Sequence, residues 1–217
     1  MTGTALIVPE PGAGLPEPGV EPDAGRLGMW VFLASEVLFF GGLFVCYVYG
    51  RSSWPQGFAI AARRTDVVLG TLNTGLLLTS SALVAAAVAC AEHPGARRWT
   101  SRLLAAAAAL GVAFLAVKGV EWHDDWRQDL VPGPRFALRA TAGAQLFFVL
   151  YFLTTGLHAL HMTVGVGVLA TFARAHARGV RWAADPRHVE VAAMYWHFVD
   201  IVWIFLYPLL YLVKRHA

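Results

Sequence analysis

The closing stretch YWHFVDIVWIFLYPLLYLV, residues 195–213, sets His197 and Asp200 inside a run otherwise apolar enough to dissolve in lipid. A charged side chain near the bilayer centre costs at least about 2.5 kcal/mol on insertion scales, so both residues must face something other than lipid. Glu190 precedes them by seven and ten residues, and at 100° per residue the three spread over only about 80° of a helix. One face therefore carries two acids and an imidazole. Such a stripe can relay protons, or it can form a static network that fixes helix register.

Four other apolar stretches carry polar groups. In GMWVFLASEVLFFGGLF, Glu36 lies about 15 Å into a helix and so near the bilayer midplane. It must be protonated or paired across a helix interface, which makes it either a proton or lipid site or a neutral acid hydrogen-bonded between helices. In TTGLHALHMTVGVGVLA, His158 and His161 are three residues apart on one helical face. That spacing can hold a metal, but no further His or Cys follows at an adjacent helical position, and two neutral imidazoles bonded across helices is the simpler expectation. The Glu190–His197–Asp200 stripe could meet Glu36 or this pair. In FLAVKGVEWHDDW, Lys118 and Glu121 are also three apart, close enough to pair and to let Lys118 snorkel toward the interface. GTLNTGLLLTSSA adds Asn73, Thr74, Thr79, Ser80 and Ser81, which suit interhelical hydrogen bonding, and Thr71/Gly75 and Thr163/Gly167 are small pairs suited to close helix contact.

The elements that position these residues follow from composition. Hydrophobic residues make up 57% of the 217 and charged residues only 14%, against about 25% charged in soluble domains. With a mean hydropathy of +0.55, this reads as an all-α membrane protein. Five stretches are long enough to span, roughly 27–50, 66–91, 101–122, 143–173 and 190–213. The loops between them are rich in Pro, Gly and Arg, as expected where the chain meets water. The expectation is a bundle of five transmembrane helices over 26–217 behind a disordered Pro/Gly-rich tail over 1–25. The tail lacks the basic start and apolar core of a signal peptide.

The Lys/Arg bias divides equally between the two sides and sets no orientation. A net charge of +3, with arginines in short runs between spans, gives no reason to expect a nucleic-acid partner. Cys46 and Cys90 lie in apolar runs without CxxC spacing, which suggests small packing residues.

Taken in order, LGMWVFLASEVLFFGGLF, LNTGLLLTSS, VKGVEW, TTGLHALHMTVG and YWHFVDIVWIFLYPLLYL resemble subunit III of the haem–copper respiratory oxidases, over about residues 27–213. The resemblance implies an accessory subunit without catalytic, cofactor-binding or metal-ligating residues of its own. Haem and copper would reside in partner subunits I and II. It implies packing against subunit I, phospholipid held between helices, and support of proton uptake in aerobic electron transport. The family's membrane carboxylate falls on Glu36, its histidine pair on His158 and His161, and its closing polar positions on Glu190, His197 and Asp200. A bacterial cytoplasmic membrane with a cytoplasmic N-terminus is implied as well.

The better-known members have seven spans, and this chain starts where the third would begin, as in five-span bacterial versions. LNTGLLLTSS together with VKGVEW is also similar to the subunit-III-like proteins associated with nitric oxide reductase. A small independent proton or solute transporter is the alternative from another class.

Overall fold

The computed structural model describes residues 24–93 and 95–212. The tail expected over 1–25 lies outside the described residues up to 23, while 24 and 25 already belong to the first helix. The helices are α1 (Ala24–Ser53), α2 (Pro55–Ala62), α3 (Val67–Ala91), α4 (Arg97–Arg127), α5 (Ala144–Arg178) and α6 (Pro186–Tyr207). A 3-10 turn, Arg181–Ala184, precedes α6, and one π-helical turn, Pro208–Leu212, continues it. All helices but α2 are long and apolar enough to cross a membrane, which makes this a multi-pass helical membrane protein.

Local chemistry sets the helix ends. Asp66 caps α3 by accepting from the backbone N–H groups of Val68 and Leu69 at 2.8 and 3.1 Å. Asp185 does the same for α6 through Arg187 N–H at 3.0 Å, with Pro186 at the first helical position. Gly179, at φ +70°, ends α5 in the left-handed conformation that glycine tolerates best. Gly143, at φ +85°, starts α5 under Trp54, and a Cβ there would sit 2.3 Å from the Trp54 Cβ.

Helix α2 falls where a loop was expected. Its apolar stretch FAIAA is too short to span and gives no membrane signal, but Phe58 is buried between Tyr47 of α1 and Phe147 of α5, with ring centroids 5.4 and 5.6 Å away. α2 therefore closes the end of the bundle. Alternate helix ends share a side, so α2, the α4–α5 connection and Leu212 lie opposite the α1 N-terminus.

The core forms from α3, α4, α5 and α6, with α1 laid against α5 and α6 from outside. Two fully buried tryptophans of α6 fix this arrangement. Trp196 fills the space left by two glycines: a Cβ on Gly111 of α4 or Gly165 of α5 would come within 2.7 or 2.9 Å of its ring. Its indole N–H donates to Ser80 of α3 at 3.2 Å. Trp203 packs edge-on against Phe114 at 4.8 Å and donates to Thr74 of α3 at 3.1 Å.

Of the expected small pairs, Thr71 meets α6 with its hydroxyl 2.7 Å from that of Tyr207, but the glycines are not contact points. Gly75 and Gly167 are exposed with no neighbour near a would-be Cβ, and Thr163 turns outward to bond Ala159 O within its own helix. The close approaches follow the bulk of Trp196 instead, because a helix face packs where a partner ring needs room. Cys46 likewise lies exposed on the outer face of α1, so it is not a packing residue within this chain.

These contacts define a contrast. Gly111→Val or Gly165→Val overpacks the Trp196 site and is expected to cost about 1–3 kcal/mol, whereas Gly167→Ala leaves stability unchanged. Thermal unfolding in detergent, followed by circular dichroism, checks both.

Candidate functional site

The polar residues of the spans gather at three levels rather than in one network. At mid-depth, Glu36 of α1 and His161 of α5 meet with Oε2 and Nε2 3.3 Å apart, both side chains largely shielded. Shielding comes from Phe40, whose ring stands edge-on to His161 at 5.7 Å. The pair is within ion-pair range although Glu36 Oε2 does not complete an aligned hydrogen bond. The other His161 nitrogen, Nδ1, lies 2.8 Å from Leu157 O. A carbonyl only accepts, so Nδ1 is the donor there, and Nε2 is the nitrogen that faces Glu36. The geometry thus sets a carboxyl and an imidazole side by side at the centre of α5.

His158, one turn before His161, does not join the pair. It is 1% exposed, its ring lies against Phe114 and Trp203 at 5.5 and 5.1 Å, and neither ring nitrogen has a hydrogen-bond partner among the described residues. His161 and Lys118 are its charged neighbours.

The α6 stripe is distributed. His197 Nδ1 bonds Ser81 Oγ of α3 at 2.8 Å. Ser81 also borders the buried Asp200 carboxyl, whose oxygens complete no well-aligned hydrogen bond among the described residues. Glu190 is half-buried near the start of α6 and makes no side-chain hydrogen bond among the described residues. His197 and Asp200 face α3, and Glu36 belongs with His161. Helices carry the reason: α6 packs on α3 through its two tryptophans, and the residues beside them turn the same way. Of the α3 group, Thr74, Ser80 and Ser81 bond across helices, Thr79 bonds back to Gly75 O, and Asn73 is fully buried with no side-chain hydrogen bond among the described residues.

The densest cluster lies deeper toward the α2 end. α4 is 31 residues long, about 46 Å at 1.5 Å per residue, against a hydrocarbon core of about 30 Å. Its last turns therefore reach the aqueous edge. Lys118 does not snorkel: it is 2% exposed and turns into the bundle, because tyrosines from two other helical segments satisfy its ammonium there. It donates to Glu121 Oε2 at 3.1 Å, to Tyr151 at 3.0 Å and to Tyr211. Those are the three donors an ammonium has. Each tyrosine then donates to Glu121 Oε1, at 2.8 and 2.7 Å, which completes a closed Lys–Glu–Tyr–Tyr ring. The Tyr151 ring also faces the ammonium at 4.6 Å.

Asp125 approaches the same Tyr151 hydroxyl at 3.1 Å. Beyond it opens a cleft of about 320 Å³, lined by Arg64, Asp66, Glu121, Asp124, Asp125 and Gln128 among others. Asp125, Tyr151 and Tyr211 did not stand out in the sequence. The available signal was two tyrosines in apolar spans, whose hydroxyls must find partners when buried, and an aspartate one turn past Glu121 on the same helical face.

A second cleft, about 480 Å³, lies between α1, α5 and α6 at the N-terminal side. Met29, Val164, Phe172 and Tyr195 give it an apolar wall, and Arg187 and His188 stand in its lining.

Fold and site together define a five-span membrane protein that encloses its ionisable groups within the bundle. The family model for cytochrome c oxidase subunit III matches residues 21–214. A cytochrome c oxidase subunit 3 from Thermostichus vulcanus is 33% identical over 201 residues, covering 89% of this chain and 90% of that protein. One from Synechocystis is 31% identical, covering 88% and 77%. A heme-copper oxidase subunit I+III from Aeropyrum pernix is 32% identical over 204 residues, and the match takes up 23% of that larger protein. The chain belongs to the cytochrome c oxidase subunit III family.

Removing one partner of the buried ring exposes its cost. Lys118→Met leaves Glu121 uncompensated and is expected to destabilise by about 3–5 kcal/mol. The double change Lys118→Met with Glu121→Gln recovers part of that loss, as denaturant titration of the purified protein will show.

Proposed function

We propose that the chain is the accessory subunit III of a bacterial haem–copper terminal oxidase, serving aerobic electron transport. In this reading it stabilises the catalytic subunit I beside subunit II, and those partners carry the haem and copper. Family membership supports the assignment to an oxidase complex. The relative named subunit I+III supports subunit I as the neighbour, since its name joins both subunits in a single protein. The proposed location is the cytoplasmic membrane, with the N-terminus cytoplasmic.

The observation that carries the specific role is the Glu36–His161 pair, a protonatable site at mid-membrane held between the outer helix α1 and the core. Placed beside subunit I, it supports proton uptake there by holding one exchangeable proton where the hydrocarbon otherwise excludes charge. The apolar cleft of α1, α5 and α6 suits a phospholipid acyl chain, with Arg187 and His188 available to an anionic headgroup.

An affinity pull-down of the tagged subunit from gently solubilised membranes, with a reduced-minus-oxidised spectrum and mass spectrometry, tests the assignment. A haem–copper subunit I with subunit II is the expected result. Nitric oxide reductase subunits would replace the partner, and a colourless single chain active in liposomes would mean a transporter. In the recovered complex, Glu36→Ala is expected to leave assembly and spectra intact while activity decays several-fold faster during sustained turnover. Arg187→Gln with His188→Gln is expected to lower co-purified phospholipid, read by native mass spectrometry.

A further inference from the structure

His197 lies eleven residues into the span Pro186–Leu212, about 17 Å along a helix of about 40 Å and so near mid-membrane. Its Nδ1 is 2.8 Å from Ser81 Oγ on α3, while Nε2 completes no hydrogen bond among the described residues and the ring is only half-buried. Hydrocarbon cannot supply the missing bond. We propose that the outer face of α6, between α1 and α3, docks a transmembrane helix of subunit I, and that this helix presents a hydroxyl or carboxamide side chain to His197 Nε2. The inference rests on the reading of this chain as an oxidase accessory subunit and names the surface that does the docking.

The face is a groove. Residues 197, 201 and 204 follow at helical spacing along one side of α6, and Ile201 and Ile204 are exposed there. α1 forms one wall, with Phe44 against Phe205 of α6 at a ring-centroid distance of 6.4 Å. α3 forms the other, where the exposed Leu78 lies three residues before Ser81 on the same side of its helix. Both helices pack on α6 without an extensive contact between them, so the floor of the groove is left uncovered.

The exposed isoleucines and leucine do not distinguish a partner helix from lipid, because acyl chains are as apolar as they are. The imidazole does distinguish them. A polar group inside a membrane turns toward other protein groups that can satisfy it, and the neighbours within this chain do not suffice. Ser81 has one hydroxyl hydrogen and borders both His197 and Asp200. The set is therefore short of one polar group, and it is open toward the groove. Nε2 accepts a hydrogen bond if Nδ1 donates to Ser81, and donates if Nδ1 accepts. A hydroxyl or carboxamide serves either case.

The depth of His197 requires a partner that itself spans the membrane. The Aeropyrum pernix relative named subunit I+III joins those two subunits in a single protein, which favours subunit I over a second copy of this chain as the occupant.

Site-specific photocrosslinking of the tagged complex in native membranes tests the surface. Ile201, Leu78 and, as a control, Val112 on the exposed face of α4 are replaced one at a time by p-benzoylphenylalanine, and the adducts are identified by mass spectrometry. Subunit I adducts from Ile201 and Leu78, with lipid alone from Val112, are expected. Groove positions that capture a second copy of this chain or lipid alone would overturn the proposal, as would subunit I adducts from Val112 instead. In the same complex His197→Leu is expected to lower the subunit I retained after detergent washing by roughly threefold or more, and His197→Gln to preserve it. Equal retention in wild type and His197→Leu would overturn the role given to His197. Should His197→Leu fail to fold, the crosslinks decide. A wild-type preparation without subunit I defeats the oxidase reading itself, whereas subunit I present without a groove adduct defeats this inference alone.

Discussion

Hydrocarbon offers no hydrogen bonds, and the Lys118 ammonium feels that constraint most sharply. Its depth in the bundle is tolerable because one carboxylate and two phenols, drawn from three separate helical segments, accept all three of its protons. That requirement fixes α4, α5 and the last turn after α6 against one another at a single register. The continuation of α6 beyond Pro208 as a π-helical turn brings Tyr211 to the ring. Buried ionic groups of this kind add little net stability over an apolar core but penalise any arrangement that separates them.

The tryptophans supply the complementary, apolar half of the same specification. Trp196 is too large to pack without the spaces at Gly111 and Gly165, Trp203 packs edge-on against Phe114, and each indole N–H finds a hydroxyl on α3. Polar ring and aromatic wedge thus hold the four-helix core from two levels. α1 enters through weaker terms. Most of its apolar side chains, Trp30, Val37, Leu38 and Val45 among them, stay exposed on its outer face, and its polar ties are the Glu36–His161 approach and the Tyr47 hydroxyl, which donates to Leu209 O.

The five spans were legible because length and hydropathy alone define them, and the family was legible because polar residues inside apolar runs cannot be explained by hydropathy. Lys118 with Glu121 was readable as a pair at three-residue spacing. What escaped was which helix each polar face meets. The Glu190–His197–Asp200 stripe shares one side of α6, yet nothing along the chain says that this side meets α3 while Glu36 meets α5. Helix α2 escaped for a related reason, since its burial depends on Tyr47 and Phe147, residues distant in sequence. Tyr151 and Tyr211 did not stand out because a phenol reveals its role only through its partners.

The peripheral seat of α1 has a consequence for biogenesis. As the chain is synthesised, α1 precedes α3 and α4, whose hairpin can close at once. Its own supports, α5 and α6, emerge last. Until α5 arrives, Glu36 has no imidazole beside it. The helix that leads the described fold into the membrane is therefore the last to be locked into the bundle, and the docking of α1 on α5 marks the completed subunit.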